Sequence, residues 1–311
     1  MKILIIGMDL KYNAEFFYKK AFEKLGHEII LLDEYKNIKN PFITRILHTR
    51  TGLFNHSLKN LTINKNLSDL IYKKDPDKII IFKGELLSTD NINKISENYD
   101  LYLYYPDTYR FKKILKNRLQ SFKAVFTAAN RLDFYYKLGA KKAITIPWGC
   151  DPEFHRKLNI EKIYKLSFIG TWYFNRGRII NKLDNVYVFG NYWLRKNKFP
   201  PVYGEELIKT INKTLINLNL HHTADIKADA PNMRTFELSG CGAFQITNAM
   251  DSIKKYFKSM PTFNDIYELK ELIDYYSNAN NELNEISLKN QEICYKNYKY
   301  TDSAKKIIEN F

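Results

Sequence analysis

Short apolar runs alternate with amphipathic stretches along this chain, and the alternation stops once and begins again. In the first half, Lys2–Ile6, Glu28–Leu32, Lys78–Phe82, Leu101–Tyr105, Ala124–Thr127 and Ala143–Ile146 read as strands separated by helical spacing. Strands alternating with helices imply βαβ units and a parallel sheet covered on both faces. After Pro147-Trp-Gly-Cys-Asp-Pro152 a charged stretch, Glu153 to Lys165, breaks the pattern. It restarts at Lys165-Leu-Ser-Phe-Ile-Gly170, which echoes Lys2-Ile-Leu-Ile-Ile-Gly7 in running from a strand into a glycine turn. The second array continues with a helix from Gly177 to Leu183, strand Val186–Phe189, helix Glu205–Lys213, strand Leu215–Leu220 and strand Ala243–Thr247. Helices Tyr267–Ser277, Glu282–Lys296 and Ser303–Asn310 close the chain, and Pro41–Asn66 reads as a long connection. The expected class is α/β, with two Rossmann-like domains facing each other across a cleft, and the ligand outside the carboxyl ends of the strands.

A length of 311 residues suits two domains of about 150 residues each. No apolar run approaches the roughly 20 residues of a membrane span, and the N-terminus enters a strand directly, so a cytoplasmic protein is expected. Cys150, Cys241 and Cys294 are far apart and odd in number, which argues against both a disulfide framework and a structural zinc site. The net charge of +15 would ordinarily raise nucleic acid as a partner. The lysines are scattered through every helix, however, and no nucleic-acid-binding signature accompanies them, so nucleic acid is not expected. A phosphate-rich substrate or a lipid-phosphate acceptor suits the same charge.

Chemistry concentrates in Asn232-Met-Arg-Thr-Phe-Glu-Leu-Ser-Gly-Cys-Gly-Ala-Phe-Gln-Ile-Thr247. Pro231 suits a first helical turn, Arg234 and Glu237 share a face three residues apart, and Gly240-Cys-Gly242 closes the helix before a strand. A helix N-terminus so placed presents N–H groups to an anion. Arg234 adds a fork of donors for phosphate, and Glu237 can accept from sugar hydroxyls. An amphipathic surface helix decorated with an internal ion pair would carry the same residues.

Taken together, Ser167-Phe-Ile-Gly-Thr171 followed by Arg176, then Leu218-Asn-Leu-His221, Arg234-Thr-Phe-Glu237 and Cys241-Gly242 resemble the CgeB-like (spore maturation protein type) glycosyltransferases. Gly7, Tyr105-Pro-Asp107, Ile146-Pro-Trp-Gly149 and Asp151-Pro152 extend the likeness over most of the chain. The resemblance implies a GT-B enzyme with a group 1-like C-terminal domain. It would have an acceptor domain at 1–152, a nucleotide-sugar donor domain at 160–295, and a C-terminal helix at 296–311 packing back on the first. It implies that Glu237 accepts from the donor's ribose hydroxyls, that Gly170 and Thr171 form the turn at the donor phosphates, and that Arg176 and Arg234 are the diphosphate's cations. Related transferases often carry two glutamates with seven residues between them, and Asp229 stands at the first of these positions relative to Glu237. The shorter acid departs from that pattern and is assigned a sugar-hydroxyl role. Adjacent residues on an extended chain point opposite ways, so at most one of His221 and His222 faces the cleft, and motif position favours His221.

On the acceptor side, Asp107 at a strand end can take the acceptor hydroxyl's proton, or it can cap the next helix. The tyrosine-rich stretch Tyr102 to Tyr109 can line the acceptor cleft or pack within the sheet. Asp75-Pro-Asp77 reads as a turn and strand entry, so no metal site is expected. Gly240-x-Gly242 lacks the third glycine of a dinucleotide fingerprint. The expected activity is transfer of a sugar from a nucleotide diphosphate, UDP by default, to a glycan, protein or lipid-linked acceptor. No tightly bound cofactor is expected, and peripheral association with the inner face of a membrane is allowed. A nucleotide-sugar epimerase or hydrolase and an inert sugar-nucleotide or glycan-binding protein stay open as alternatives.

Overall fold

The six apolar runs of the first half form one parallel sheet: β1 (Lys2–Gly7), β2 (Glu28–Asp33), β3 (Lys78–Phe82), β4 (Leu101–Tyr104), β5 (Ala124–Thr127) and β6 (Ala143–Thr145). Their order is β2-β1-β3-β4-β5-β6. Ile3 to Ile6 and Ile79 to Ile81 are buried residue after residue, as a sheet covered on both faces requires. The helix Ala14–Lys24 covers part of it. Asn13 caps this helix, its side chain accepting from the Phe16 amide at 2.9 Å, and Phe17, Tyr18, Ala21 and Phe22 form the buried stripe. Each such aromatic contributes roughly 1.5–3 kcal/mol through burial. The computed structural model describes residues 1–36, 62–107 and 115–311.

The chain divides into two units, Met1–Ile146 with Ser303–Phe311, and Pro147–Asp302. In the first unit the C-terminal residues pack on the sheet. Phe311 lies 4.7 Å from the Tyr102 ring, Lys306 Nζ donates to the Thr145 carbonyl at 2.9 Å, and Ala304 and Ile307 are buried.

The second unit holds another parallel sheet: β7 (Tyr164–Ile169), β8 (Tyr187–Phe189), β9 (Lys198–Phe199), β10 (Thr214–Asn219), β11 (Gln245–Asn248) and β12 (Thr262–Phe263). Its order is β12-β11-β10-β7-β8-β9. From β7 the chain builds outward to β9 and then returns to the other side of β7 as β10. The topological switch therefore falls between β7 and β10, and in the first sheet it falls between β1 and β3. Open parallel sheets leave a crevice at the carboxyl ends of such strands.

Several expectations need correction. The edge strands β9 and β12 are too short to leave a periodic signal. The helix expected to begin at Gly177 spans Phe174–Ile180, because Gly177 is an interior position against the Trp172 indole, where an added Cβ would lie 2.5 Å from Nε1. The connection ending at Asn66 gives way to a helix at Thr62–Lys74, and its earlier part, residues 41–61, lies outside the described residues, as does Tyr109. Asp77 accepts from the Lys2 amide at 2.7 Å, which makes it a strand-entry contact. The three cysteines are free and buried. Among the described residues no helix is long and apolar enough to cross a membrane.

Gly170 and Gly190 bring two strand ends together: a Cβ on Gly190 would lie 2.1 Å from the Gly170 carbonyl oxygen. That oxygen also accepts from Trp193 Nε1 at 2.8 Å, so the backbone has little room to yield. Gly190→Ala is expected to destabilise the second unit by about 3 kcal/mol or more. Gly26→Ala, at φ 82 with nothing within 4 Å of the added Cβ, should cost only about 1 kcal/mol. Trp148, Trp172 and Trp193 all lie in the second unit, so urea unfolding followed by tryptophan fluorescence reports that unit. An unchanged midpoint for Gly190→Ala would contradict the close approach.

Candidate functional site

The carboxyl ends of β7 and β10 are tied together by one arginine. Arg176, on the helix after β7, donates through Nε to the Leu220 carbonyl at 2.9 Å and through Nη1 to the Thr171 carbonyl at 3.1 Å. Its guanidinium lies 5.5 Å from the Phe168 ring centre and 5.2 Å from that of Tyr173. This staple closes a turn that the sequence alone, with its glycine, would leave loose.

An amide network then fixes the helix Met233–Gly240 against β10. Asn232 caps the helix by accepting from the Thr235 amide at 3.1 Å, and its Nδ2 donates to Asn219 Oδ1 at 2.9 Å. Asn219 Nδ2 donates to Thr235 Oγ1 and Gln245 Oε1, while Gln245 Nε2 donates to the Thr235 carbonyl and Ser239 Oγ. Buried amides satisfied on this scale fix one geometry, because a shifted partner would strand a donor in a medium without water.

Between these parts lies a cavity of about 210 Å³ lined by Gly170, Arg176, Asn219, Asn232, Arg234 and Glu237, among others. Glu237 is 2% exposed. Arg234 Nη1 lies 2.6 Å from Glu237 Oε2, and His155 Nε2 lies 3.8 Å from Oε1. Burial alone would raise the Glu237 carboxyl, but the Arg234 guanidinium and His155 outweigh it and hold the group below the ordinary glutamate range. An ionised carboxylate therefore stands at the cavity wall, able only to accept hydrogen bonds.

Of the residues that the sequence singled out, Gly170, Arg176, Arg234 and Glu237 meet at this cavity. Thr171 does not line it, and contributes its carbonyl to Arg176. His221 does not line this cavity: it is 1% exposed, with Nδ1 3.3 Å from Thr247 Oγ1 and Nε2 3.5 Å from Thr235 Oγ1. Burial, reinforced by the positive charge of Arg176, pushes its imidazole down to about 3, so it is neutral near pH 7. Asp229 is likewise turned to a structural task. At φ 50 it directs Oδ1 to the Ser252 amide (3.0 Å) and hydroxyl (2.7 Å), at the start of the helix Asp251–Tyr256. Sequence reasoning missed His155, which carried no motif, and gave no separate weight to Asn219 and Asn232, although both stood inside quoted segments.

Asp107 belongs to the first unit, with Oδ2 2.6 Å from Lys83 Nζ. Lys83 follows β3 in a left-handed conformation, φ 61, and Gly84 repeats it at φ 60. Arg118, 2% exposed, holds this turn by donating to the Gly84 carbonyl at 2.9 Å and the Leu87 carbonyl at 3.1 Å. Glu34, following β2, accepts from the Leu86 amide at 3.2 Å. Burial first, then the neighbouring Glu85, raises Glu34 to about 8. The carboxyl ends of the first sheet thus gather acids, where the second gathers arginines.

A family model described as glycosyl transferase-like matches residues 175–309. The matched stretch includes Arg176, Arg234 and Glu237. No curated protein matches the chain in sequence. Among solved structures, sucrose-phosphate synthase from Thermosynechococcus elongatus superposes with a TM-score of 0.71 at 9% identity, over 99% of this chain and 98% of that one. Anabaena Alr3699/HepE in complex with UDP-glucose gives 0.67 at 10% identity, over 99% and 98%. T4 phage BGT in complex with its UDP-glucose substrate gives 0.63 at 14% identity, over 100% and 99%. The fold is GT-B. In this GT-B chain the cavity at β7 and β10 and the acid cluster at β1 to β4 occupy corresponding ends of the two sheets.

Glu34 gives a pH test of the first unit. Its folded value, about 8, lies above the ordinary glutamate value of 4.5, so between these values the native state keeps a proton that the unfolded chain has released. Stability of this unit should therefore fall as pH rises from about 4.5 to about 8. Glu34→Gln removes the Glu34 share of that slope, and the variant should exceed the wild type at pH 9 by on the order of 4 kcal/mol, with little difference at pH 4. Hydrogen exchange of the β1 and β3 amides measures it, and parallel pH profiles for the two proteins would refute the assignment.

Proposed function

We propose that this chain is a glycosyltransferase of the CgeB-like kind, moving a sugar from a nucleoside diphosphate donor to an acceptor hydroxyl on a glycan, protein or lipid-linked polymer. The observation that carries the reading is the convergence of Gly170, Arg176, Arg234 and Glu237 on one cavity at the switch point of the second sheet. A nucleoside diphosphate has two features that need recognition, a pair of sugar hydroxyls that donate and a diphosphate that carries negative charge. Glu237 is an acceptor-only group for the ribose hydroxyls. Arg176, Arg234 and the N-terminal amides of the Met233–Gly240 helix suit the diphosphate.

Transfer lengthens the bond between the sugar's anomeric carbon and the diphosphate oxygen, and negative charge grows on the leaving diphosphate. Positive charge fixed beside that oxygen before reaction lowers the barrier without reorganising solvent. Arg176 and Arg234 take this task, with no metal in the donor site. The acceptor hydroxyl must lose its proton as its oxygen attacks, and Asp107, oriented by Lys83, is the first-unit residue assigned to receive it. UDP-glucose accompanies two of the structural neighbours named above, which makes UDP-sugars the first donors to test.

Calorimetric titration with UDP, followed by a transfer assay with a panel of UDP-sugars, should show binding and acceptor-dependent turnover. Glu237→Ala or Arg234→Ala should lower kcat/KM for the donor by about 100-fold, the scale of a lost charge-assisted contact, with far-UV circular dichroism unchanged. Near-normal transfer by both variants would sink the site assignment. Donor turnover that needs no acceptor would instead favour a nucleotide-sugar hydrolase.

A further inference from the structure

His155 lies in the segment that opens the second unit, far in sequence from the helix it meets. The Asp151 amide donates to His155 Nδ1 at 2.9 Å. A ring nitrogen that accepts carries no proton, so in the neutral ring the hydrogen resides on Nε2. That Nε2 is the atom 3.8 Å from Glu237 Oε1, and the His155 side chain is fully buried. Three further contacts fix the residue. Tyr295 Oη donates to the His155 carbonyl at 2.7 Å, Phe154 meets the ring edge-on at 5.1 Å, and a Cβ on Gly240 would lie 3.0 Å from His155 Cβ.

We infer that His155 is a positioning residue for the donor site, its Nε2–H set by the Asp151 amide to face Glu237 Oε1 and keep that carboxylate turned toward the cavity. The inference rests on the donor-site reading above and extends it to a residue that lies outside the cavity lining. Two groups flank the Glu237 carboxylate in this arrangement. Arg234 approaches Oε2 from the same helix, and His155 approaches Oε1 from the segment behind it. Cys241, the other titratable group close to Glu237, is held neutral at ordinary pH by its burial. With His155 removed, burial would act on Glu237 against Arg234 alone, and the carboxyl should rise.

The test compares His155→Leu, which removes the donor, with His155→Gln, whose side-chain amide can restore an N–H near the Nε2 position. Two measurements are made on the full chain. Carbon-13 NMR titration of the glutamate carboxyls, with Glu237 assigned by its loss in Glu237→Gln, needs no ligand. In His155→Leu the Glu237 midpoint should rise by about one pH unit or more, and His155→Gln should return most of that shift. Calorimetric titration with UDP from pH 4 to pH 8 should show affinity about 10-fold weaker in His155→Leu at pH 7, with the acid-side loss beginning at higher pH, and partial recovery in His155→Gln. A Glu237 midpoint that stays put in a folded His155→Leu protein overturns the inference, as does a midpoint that His155→Gln leaves as high as His155→Leu does. If the midpoint moves as expected while wild-type protein fails to bind UDP, the positioning role stands and the donor-site reading falls. If wild type binds UDP while the midpoint is unmoved, the donor site stands and His155 is packing alone.

Discussion

A carboxylate at 2% exposure cannot be left to itself, and compensating Glu237 organises much of the second unit. Taking such a group out of water costs several kcal/mol unless opposite charge and donors replace the hydration. Arg234 supplies the charge from one helical turn away, which needs only the helix. The second partner, His155, requires the entering segment to pass directly behind that helix. Gly240 is a glycine at that crossing, where a Cβ would meet Cys150 at 2.8 Å and His155 at 3.0 Å. The same segment is pinned by backbone bonds, as the Cys150 amide donates to the Tyr298 carbonyl at 2.9 Å and the Tyr300 amide to the Cys150 carbonyl at 3.0 Å. Glu237 thus links the start of the unit to the helix Met233–Gly240, and the helix Asn280–Asn297 reaches the same segment through Tyr295, whose hydroxyl donates to the His155 carbonyl.

What was legible in the sequence follows from the range over which each feature is determined. β3 and β5 matched to the residue, because a strand buried on both faces reads as an uninterrupted apolar run. Gly177 misled because a glycine inside a helix looks like a boundary until the Trp172 ring that occupies its missing side chain is seen. Arg234 and Glu237 could be paired from spacing, since three residues on a helix fix their proximity. Asp229 could not be placed, because its partner is Ser252 and nothing in the local sequence announces that contact. His221 and His222 illustrate the same limit. Their opposite directions were predictable, but not that His222 would cap a helix through Nδ1 while His221 turned into the interior between Thr235 and Thr247.

The two sheets reuse one architectural device with opposite chemistry. Each leaves a crevice where the strand order reverses, and in each an arginine fastens the turns that line it, Arg118 in the first and Arg176 in the second. Arg118 donates to carbonyls of the turn after β3 and to Thr89 Oγ1, sealed beside Glu34, Glu85 and Tyr105, so its donors are taken up locally. Arg176 also grips carbonyls, but it remains at a cavity wall beside a helix N-terminus, where an anion would find both. The difference lies in burial. An arginine sealed among acids stabilises a turn, whereas an arginine left at a cavity edge keeps part of its field for a ligand.

That distinction also separates the polar residues of the second unit by the job each can do. Asn219, Thr235 and Gln245 satisfy one another and have their geometry fixed by that mutual satisfaction, so they shape the crevice. Glu237 and Arg234 are compensated by each other's charge at the cavity wall, so in the proposed donor site an entering anion would compete for that pairing. The cost of such an exchange is low only if the carboxylate keeps a second support while Arg234 turns toward the incoming anion. In the inferred arrangement His155, facing Oε1 from outside the cavity lining, is the support that would stay in place during that change.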